Sequence, residues 1–145
     1  MKTILAAIDF SDVSDSVIDM AKQLATAFES RLLILHAAAP DPAFVGYEVG
    51  PQNERDWRAS KLHEEHSKLS EIAQDLRRSG IDVLPKLEQG STVEVLQKEI
   101  DRNKVEMLVI GSHGHGAMYD VLVGSVTKDA LKTLKVPIVV VPAET

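Results

Sequence analysis

Five short apolar runs, alternating with four stretches of helical periodicity, predict an α/β protein: an open, twisted, parallel five-stranded sheet with helices on both faces. The runs Ile4 to Ile8, Leu32 to Ala38, Ile81 to Leu87, Val105 to Ile110 and Val136 to Val141 are nearly continuous rather than alternating, as expected of strands covered on both sides. Between them, apolar residues recur three or four positions apart, which gives each intervening stretch one face to bury. With 145 residues, 44% of them hydrophobic, the chain fits one domain spanning residues 1–145, in which roughly 70% of the unfolded surface can be buried.

The elements follow in order. The opening Met1-Lys2-Thr3-Ile4-Leu5-Ala6-Ala7-Ile8 has the look of a signal peptide, but Asp9 interrupts it and no cleavage-type segment follows, so it reads as a first strand. Val17, Ala21, Leu24 and Phe28 mark the first helix, with Ser14 placed to cap it. After the second strand, the stretch from Ala39 to Asn53 holds Pro40, Pro42, Pro51, Gly46 and Gly50, a composition for a long loop and a candidate lid. Leu62, Leu69, Ile72 and Leu76 form the second helical stripe, which Arg77, Arg78 and Gly80 bring to an end. Val93, Leu96 and Ile100 form the third, opened by a Ser91/Glu94 capping box; Val126, Ala130 and Leu134 form the fourth.

Composition removes several classes of function. A formal net charge of -6, with no cluster of Lys and Arg interleaved with aromatics, argues against a polynucleotide partner. No apolar stretch approaches the roughly 18 residues of a membrane span. Cysteine is absent, which excludes disulfides and thiolate metal sites and suits a reducing, cytoplasmic location.

The most informative segment is Gly111-Ser112-His113-Gly114-His115-Gly116, continuing through Met118 and Tyr119 to Gly124-Ser125, between the fourth strand and the last helix. Backbone amides reach an anion closely only where no Cβ intervenes. A helix starting near Gly124 would turn its free N–H groups and positive dipole end to the same place, so Gly111, Gly114, Gly124 and Ser125 read as a phosphate cradle. Ser125 also suits a helix N-cap. In a parallel sheet, ligands sit beyond the carboxyl ends of the strands, where Asp9, Ala37 and Gly111 should converge. Asp9 has two readings: an acceptor for ribose hydroxyls or an adenine amino group, or a cap for the following helix and its loop amides. The spacing completes neither Gly-x-Gly-x-x-Gly nor a Walker Gly-Lys-Ser/Thr segment. His63 and His66, with Glu64 and Glu65 between them, suit a solvated helix face. His113 and His115 suit the neighbourhood of phosphates, and His36 within an apolar strand suits a hydrogen-bonded core residue, so no metal site is assigned. No cysteine nucleophile, Gly-x-Ser-x-Gly elbow or oriented base is present, so no catalytic residue is assigned either.

Taken together, Gly111-x-x-Gly114-x9-Gly124-Ser125, the opening Ile8-Asp9-Phe10-Ser11 and the closing Val136-Pro137-Ile138-Val139-Val140-Val141-Pro142 resemble the universal stress protein family over essentially the whole chain, in the form carried by its ATP-binding branch. The resemblance implies a Rossmann-like domain akin to the adenine nucleotide alpha hydrolases, holding ATP, ADP or AMP at the carboxyl edge of the sheet. Ala7, Asp9 and Ala37 would meet the base and ribose, and Ile110 and Gly111 would flank the ribose and phosphates. His113, Gly114, Gly124, Ser125 and Val126 would surround the phosphates, and Mg²⁺ or Mn²⁺ is left open as a companion ion. The resemblance also implies a homodimer through Val136 to Val141, an apolar strand that would otherwise be an unprotected edge. Three functions stand at this point: a nucleotide-binding regulatory module with an unknown protein partner, a slow ATP hydrolase or phosphoryl or adenylyl transferase, and a dimeric interaction protein that binds no nucleotide.

Overall fold

The structure, a computed structural model, describes residues 1–38, 52–112 and 125–142. Among them, five strands form one sheet: β1 (Thr3–Ile8), β2 (Arg31–Ala38), β3 (Val83–Gln89), β4 (Met107–Gly111) and β5 (Ile138–Val141). The helices are α1 (Ser14–Phe28), α2 (Gln52–Arg78), α3 (Thr92–Asn103) and α4 (Ser125–Thr133). All neighbouring strands are parallel, in the order β3-β2-β1-β4-β5, so the expected fold class is the observed one.

Side chains of successive strand residues point to opposite faces, and this alternation divides the core in two. Ile4, Ala6, Ile8, Leu32, Ile34 and Val109 pack under α1 and α2, against Val17, Ala21, Leu69, Ala73 and Leu76. Leu5, Leu33, Leu35, Leu108 and Ile110 pack under α3 and α4, against Val95, Leu96, Ile100, Ala130 and Leu134. The helical stripes read from spacing are therefore largely the buried ones. Phe28 and Val126 are the exceptions, at 47% and 41% exposed, because each lies in a terminal turn where its helix clears the sheet.

Three strands begin later than their apolar runs, and helix termination explains two of them. The amides of Ser30, Ile81 and Val105 bond back to the carbonyls of Ala25, Leu76 and Ile100, closing α1, α2 and α3 with the six-to-one bond of a Schellman turn. The residue before each bond, Glu29, Gly80 or Lys104, has φ of 52°, 88° or 53°. Ile81 and Val105 are thus buried helix closers rather than strand residues. β5 begins at Ile138 instead of Val136 because Pro137 has no N–H for the ladder; its carbonyl still accepts from the Leu108 amide at 3.0 Å.

The capping expectations need correction. Val13 occupies the N-cap position of α1, and the Ser14 hydroxyl instead donates to Asp9 Oδ1 at 3.3 Å. Ser91 is the N-cap of α3, but neither half of the capping box forms; its contribution is backbone, with Val95 N donating to Ser91 O at 2.9 Å. The loop expected through Asn53 ends earlier, since α2 already begins at Gln52; the remainder of that stretch lies outside the described residues.

Among the described residues, one charged group lies wholly in the interior. Glu99 of α3 is 0% exposed; its Oε2 accepts from Lys86 Nζ of β3 at 2.9 Å and from Asn103 Nδ2 at 2.8 Å, and its Oε1 accepts from Arg102 at 3.4 Å. Burial alone would raise the pKa of this carboxyl, but the hydrogen bond and charge of Lys86, with Arg102 and Asn103, hold it below its ordinary 4.5. A depressed native pKa means that unfolding takes up a proton. The stabilisation is therefore complete above the ordinary carboxylate range and is lost as pH falls through the lowered value. Glu99→Gln should cost about 1–3 kcal/mol at neutral pH by leaving the Lys86 ammonium unpaired. Urea unfolding should show that deficit shrinking as the pH drops below 4.5; a deficit that does not change with pH would contradict this assignment.

Candidate functional site at the carboxyl edge

The chain steps outward from β1 through β2 to β3, then returns across the opposite face to lay β4 on the other side of β1. Connections after β1 and β4 therefore leave the sheet in opposite directions, opening a crevice beyond their carboxyl ends. Asp9 and Gly111 stand on its two sides.

Beyond β1, Asp9-Phe10-Ser11 forms a tight turn into α1. Asp9 Oδ1 accepts from the Ser11 amide at 3.0 Å as well as from the Ser14 hydroxyl, and Ser14 N donates to Ser11 O at 3.0 Å. Of the two readings of Asp9, this oxygen fulfils the helix-and-loop one. The turn forces Phe10 to a φ of 60°, costly for a bulky residue, and its ring packs against His36 with centroids 4.6 Å apart and planes tilted by 48°. The Ser11 hydroxyl is buried without a hydrogen-bond partner among the described residues.

Ala7 and Ala37 share the α3–α4 face of the sheet, each half-buried at the rim of that core. The β1–β2 ladder ends at Ile8 and His36, so Ala37 stands one step past the last rung, level with Asp9. Side chains this small take up less space at the strand ends than a Leu or Met would.

Beyond β4, Gly111 pairs with Val141, and the Ser112 amide extends the ladder by donating to Val141 O at 2.8 Å. The Thr127 hydroxyl, from the first turn of α4, donates to Gly111 O at 2.8 Å, and Thr127 is 3% exposed. This bond joins the two ends of the glycine-rich segment and fixes the start of α4 against the end of β4. Ile110 is buried under α3 and α4.

Ala7, Asp9, Ala37, Ile110 and Gly111 are thus brought to the carboxyl ends of three adjacent strands, and Ser125 and Val126 open the helix that Thr127 ties there. His113, Gly114, Gly124, the Ser125 side chain and His115 lie outside the described residues. His36 is the hydrogen-bonded core residue expected, bonded through both ring nitrogens, while His63 and His66 are exposed. Among the described residues, no group of three or more His, Asp or Glu is placed to hold a metal, and no helix is long and apolar enough to cross a membrane.

Sequence reasoning missed Thr127 as a clamp and Gly90 as a positive-φ position. Thr127 was legible only as a member of a helical pattern, although a β-branched hydroxyl in a first turn is a ready bond donor to a neighbouring strand end. Gly90, directly after β3, has a φ of 142° and donates its amide to Ala38 O at 3.1 Å; a Cβ there would lie 3.2 Å from Val95 Cγ2.

Comparison with known proteins agrees with this architecture. The model of the universal stress protein family matches residues 1–142. A universal stress protein of Thermus aquaticus, encoded 3' of a QAH/OAS sulfhydrylase, is 30% identical over 142 residues, covering 97% of this chain and 98% of its own. The chain belongs to the universal stress protein family. In fold it is similar to the solved structure of MJ0577 of Methanocaldococcus jannaschii, with a TM-score of 0.84 and 24% identity, covering 99% of this chain and 97% of that one. It is also similar to a universal stress protein solved in complex with cAMP, with a TM-score of 0.70 and 23% identity, covering 99% and 98% of the two chains.

The clamp yields a direct expectation. Thr127→Val keeps the shape but leaves Gly111 O without its partner, and should cost about 1 kcal/mol in urea unfolding. Thr127→Ser should restore most of that loss. Equal losses in the two variants would show that the hydroxyl bond contributes nothing.

Proposed function

We propose that this protein is a regulatory module of the ATP-binding branch of its family, one domain over residues 1–145, which holds ATP, ADP or AMP at the carboxyl edge of its sheet. The observation that carries the reading is the Thr127–Gly111 bond: it sets the first turn of α4, whose amides have no partner within the helix, against the end of β4 at the crevice. The donor set suits the ligand. A helix start and the small residues Gly111, Gly114 and Gly124 offer amides to phosphate oxygens, while Ala7 and Ala37 offer an apolar floor of low relief to a purine.

In this reading Asp9 faces the base and ribose, with Oδ1 fixed by Ser11 and Ser14 so that the carboxylate does not swing. Ile110 and Gly111 flank the ribose and phosphates. His113, Gly114, Gly124, Ser125 and the Val126 amide complete the phosphate contacts, with Mg²⁺ or Mn²⁺ held chiefly by the phosphates themselves. That a structural relative was solved in complex with cAMP supports an adenylate as the ligand. Occupancy would favour whichever arrangement of the glycine-rich segment binds better, by no more than the difference in affinity, and so alter the choice of partner. The half-buried apolar strand β5, at one end of the sheet, supports a homodimer through Val136 to Val141.

Protein purified from cells should release ATP, ADP or AMP on denaturation, read by mass spectrometry. Gly114→Val should remove titratable ATP binding, lowering affinity roughly a hundredfold or more, about 2.7 kcal/mol, while light scattering still reports a dimer. Repeated absence of nucleotide, together with no calorimetric binding by the unaltered protein, would remove the proposal.

A further inference from the structure

Among the described residues other than glycine, Phe10, Glu29 and Lys104 have positive φ. Glu29 and Lys104 each close a helix, where the left-handed conformation is usual. Phe10 closes none. It lies between β1 and α1, and a bulky side chain at a φ of 60° is a strained arrangement that persists only where its surroundings impose it. The buried Ser11 hydroxyl, without a hydrogen-bond partner among the described residues, is a second sign that this turn does not rest at a minimum of its own.

The contacts that impose the conformation come from two sides. Toward α1, Asp9 Oδ1 accepts from the Ser11 amide and the Ser14 hydroxyl, which closes the turn but leaves the Phe10 side chain to be placed by something else. That something is β2 and α2. The Phe10 ring packs at the core under α1 and α2, with its centroid 4.6 Å from that of His36, a β2 residue only 7% exposed. His36 is itself fixed at both ring nitrogens: Nδ1 lies 2.9 Å from the Ile8 carbonyl oxygen at the end of β1, and Nε2 lies 2.8 Å from Glu65 Oε2 of α2. Lys68, on the same helix as Glu65, brings Nζ to 5.7 Å from the centre of the Phe10 ring.

We propose that His36, oriented by Glu65, is the positioning residue that holds the Asp9–Ser11 turn and so presents Asp9 to the crevice. It fixes Ile8, just before the turn, through that carbonyl, and Phe10, within the turn, through its ring. Without the prop, Phe10 relaxes toward negative φ, and the Asp9 carboxylate and the Ser11 amide move apart. Glycine at position 10 takes a φ of 60° with no Cβ to clash, and needs no prop. The service of this arrangement to a nucleotide rests on the function proposed above; the hold of His36 on the turn does not.

The test is a double-mutant cycle on the full chain, His36→Leu with Phe10→Gly, read by exchange of the Ser11 amide and by calorimetric titration with AMP. Ser11 protection should fall roughly tenfold in His36→Leu, but by less than about threefold when Phe10→Gly is also present. AMP affinity should fall alongside it, roughly tenfold with Phe10 in place and far less with glycine there. A histidine that merely supports the core costs the same in both backgrounds, so equal losses overturn the proposal. A Ser11 amide as protected in His36→Leu as in the unaltered protein overturns it too, as does one that loses protection while AMP binds as before. If the unaltered protein binds no AMP, the nucleotide reading fails and the amide comparison alone decides whether His36 holds the turn. Should His36→Leu not fold, Glu65→Ala, which keeps the ring but removes what orients it, takes its place in the cycle with the same expected and overturning results.

Discussion

Because all five strands run the same way, their carboxyl ends share one edge, and every helix must begin there and travel back. The sheet grows first to one side of β1 and then to the other, so the connections after β1 and β4 part company at that edge. The crevice between them follows from topology before any side chain is considered. Side chains then furnish it: a turn locked by Asp9 on one wall, the Thr127–Gly111 bond on the other, and alanines between. None of these would meet if a strand were reversed or the order changed.

Among the described residues, each face of the sheet carries a buried polar contact that ties a helix to a strand. Under α3, Glu99 is fully enclosed and has partners on β3 and on its own helix, which offset the cost of burying a carboxylate and fix how α3 sits. Under α2, the His36 ring lies between the Ile8 carbonyl at the end of β1 and Glu65, and so joins that helix to the sheet near its carboxyl edge.

Much of this architecture was legible because parallel strands advertise themselves as unbroken apolar runs. The strand count, the helical stripes and the meeting of Asp9, Ala37 and Gly111 at strand ends follow from that pattern. The errors are local and share a cause: backbone hydrogen bonding does not show in side-chain hydrophobicity. Ile81 and Val105 look like strand residues, yet their amides close helices. Ser14 and Ser91 look like side-chain caps, yet one hydroxyl bonds Asp9 and the other residue caps through its carbonyl. Thr127 was hidden because its partner, Gly111, lies in another element. Glu65 reads with its flanking histidines as part of a solvated face, because nothing in the spacing of α2 points to a histidine on β2.

The central claim is that the carboxyl-edge crevice, rather than any other surface, receives an adenylate. Titrating ¹⁵N-labelled protein with AMP and following backbone amide shifts tests it directly. The account requires the largest shifts at Ala7 to Ser11, Ala37, Gly111, Ser112 and Ser125 to Thr127. Shifts concentrated instead in the groove between α3 and α4, around Val93, Gln97 and Thr133, or spread without focus, would contradict it.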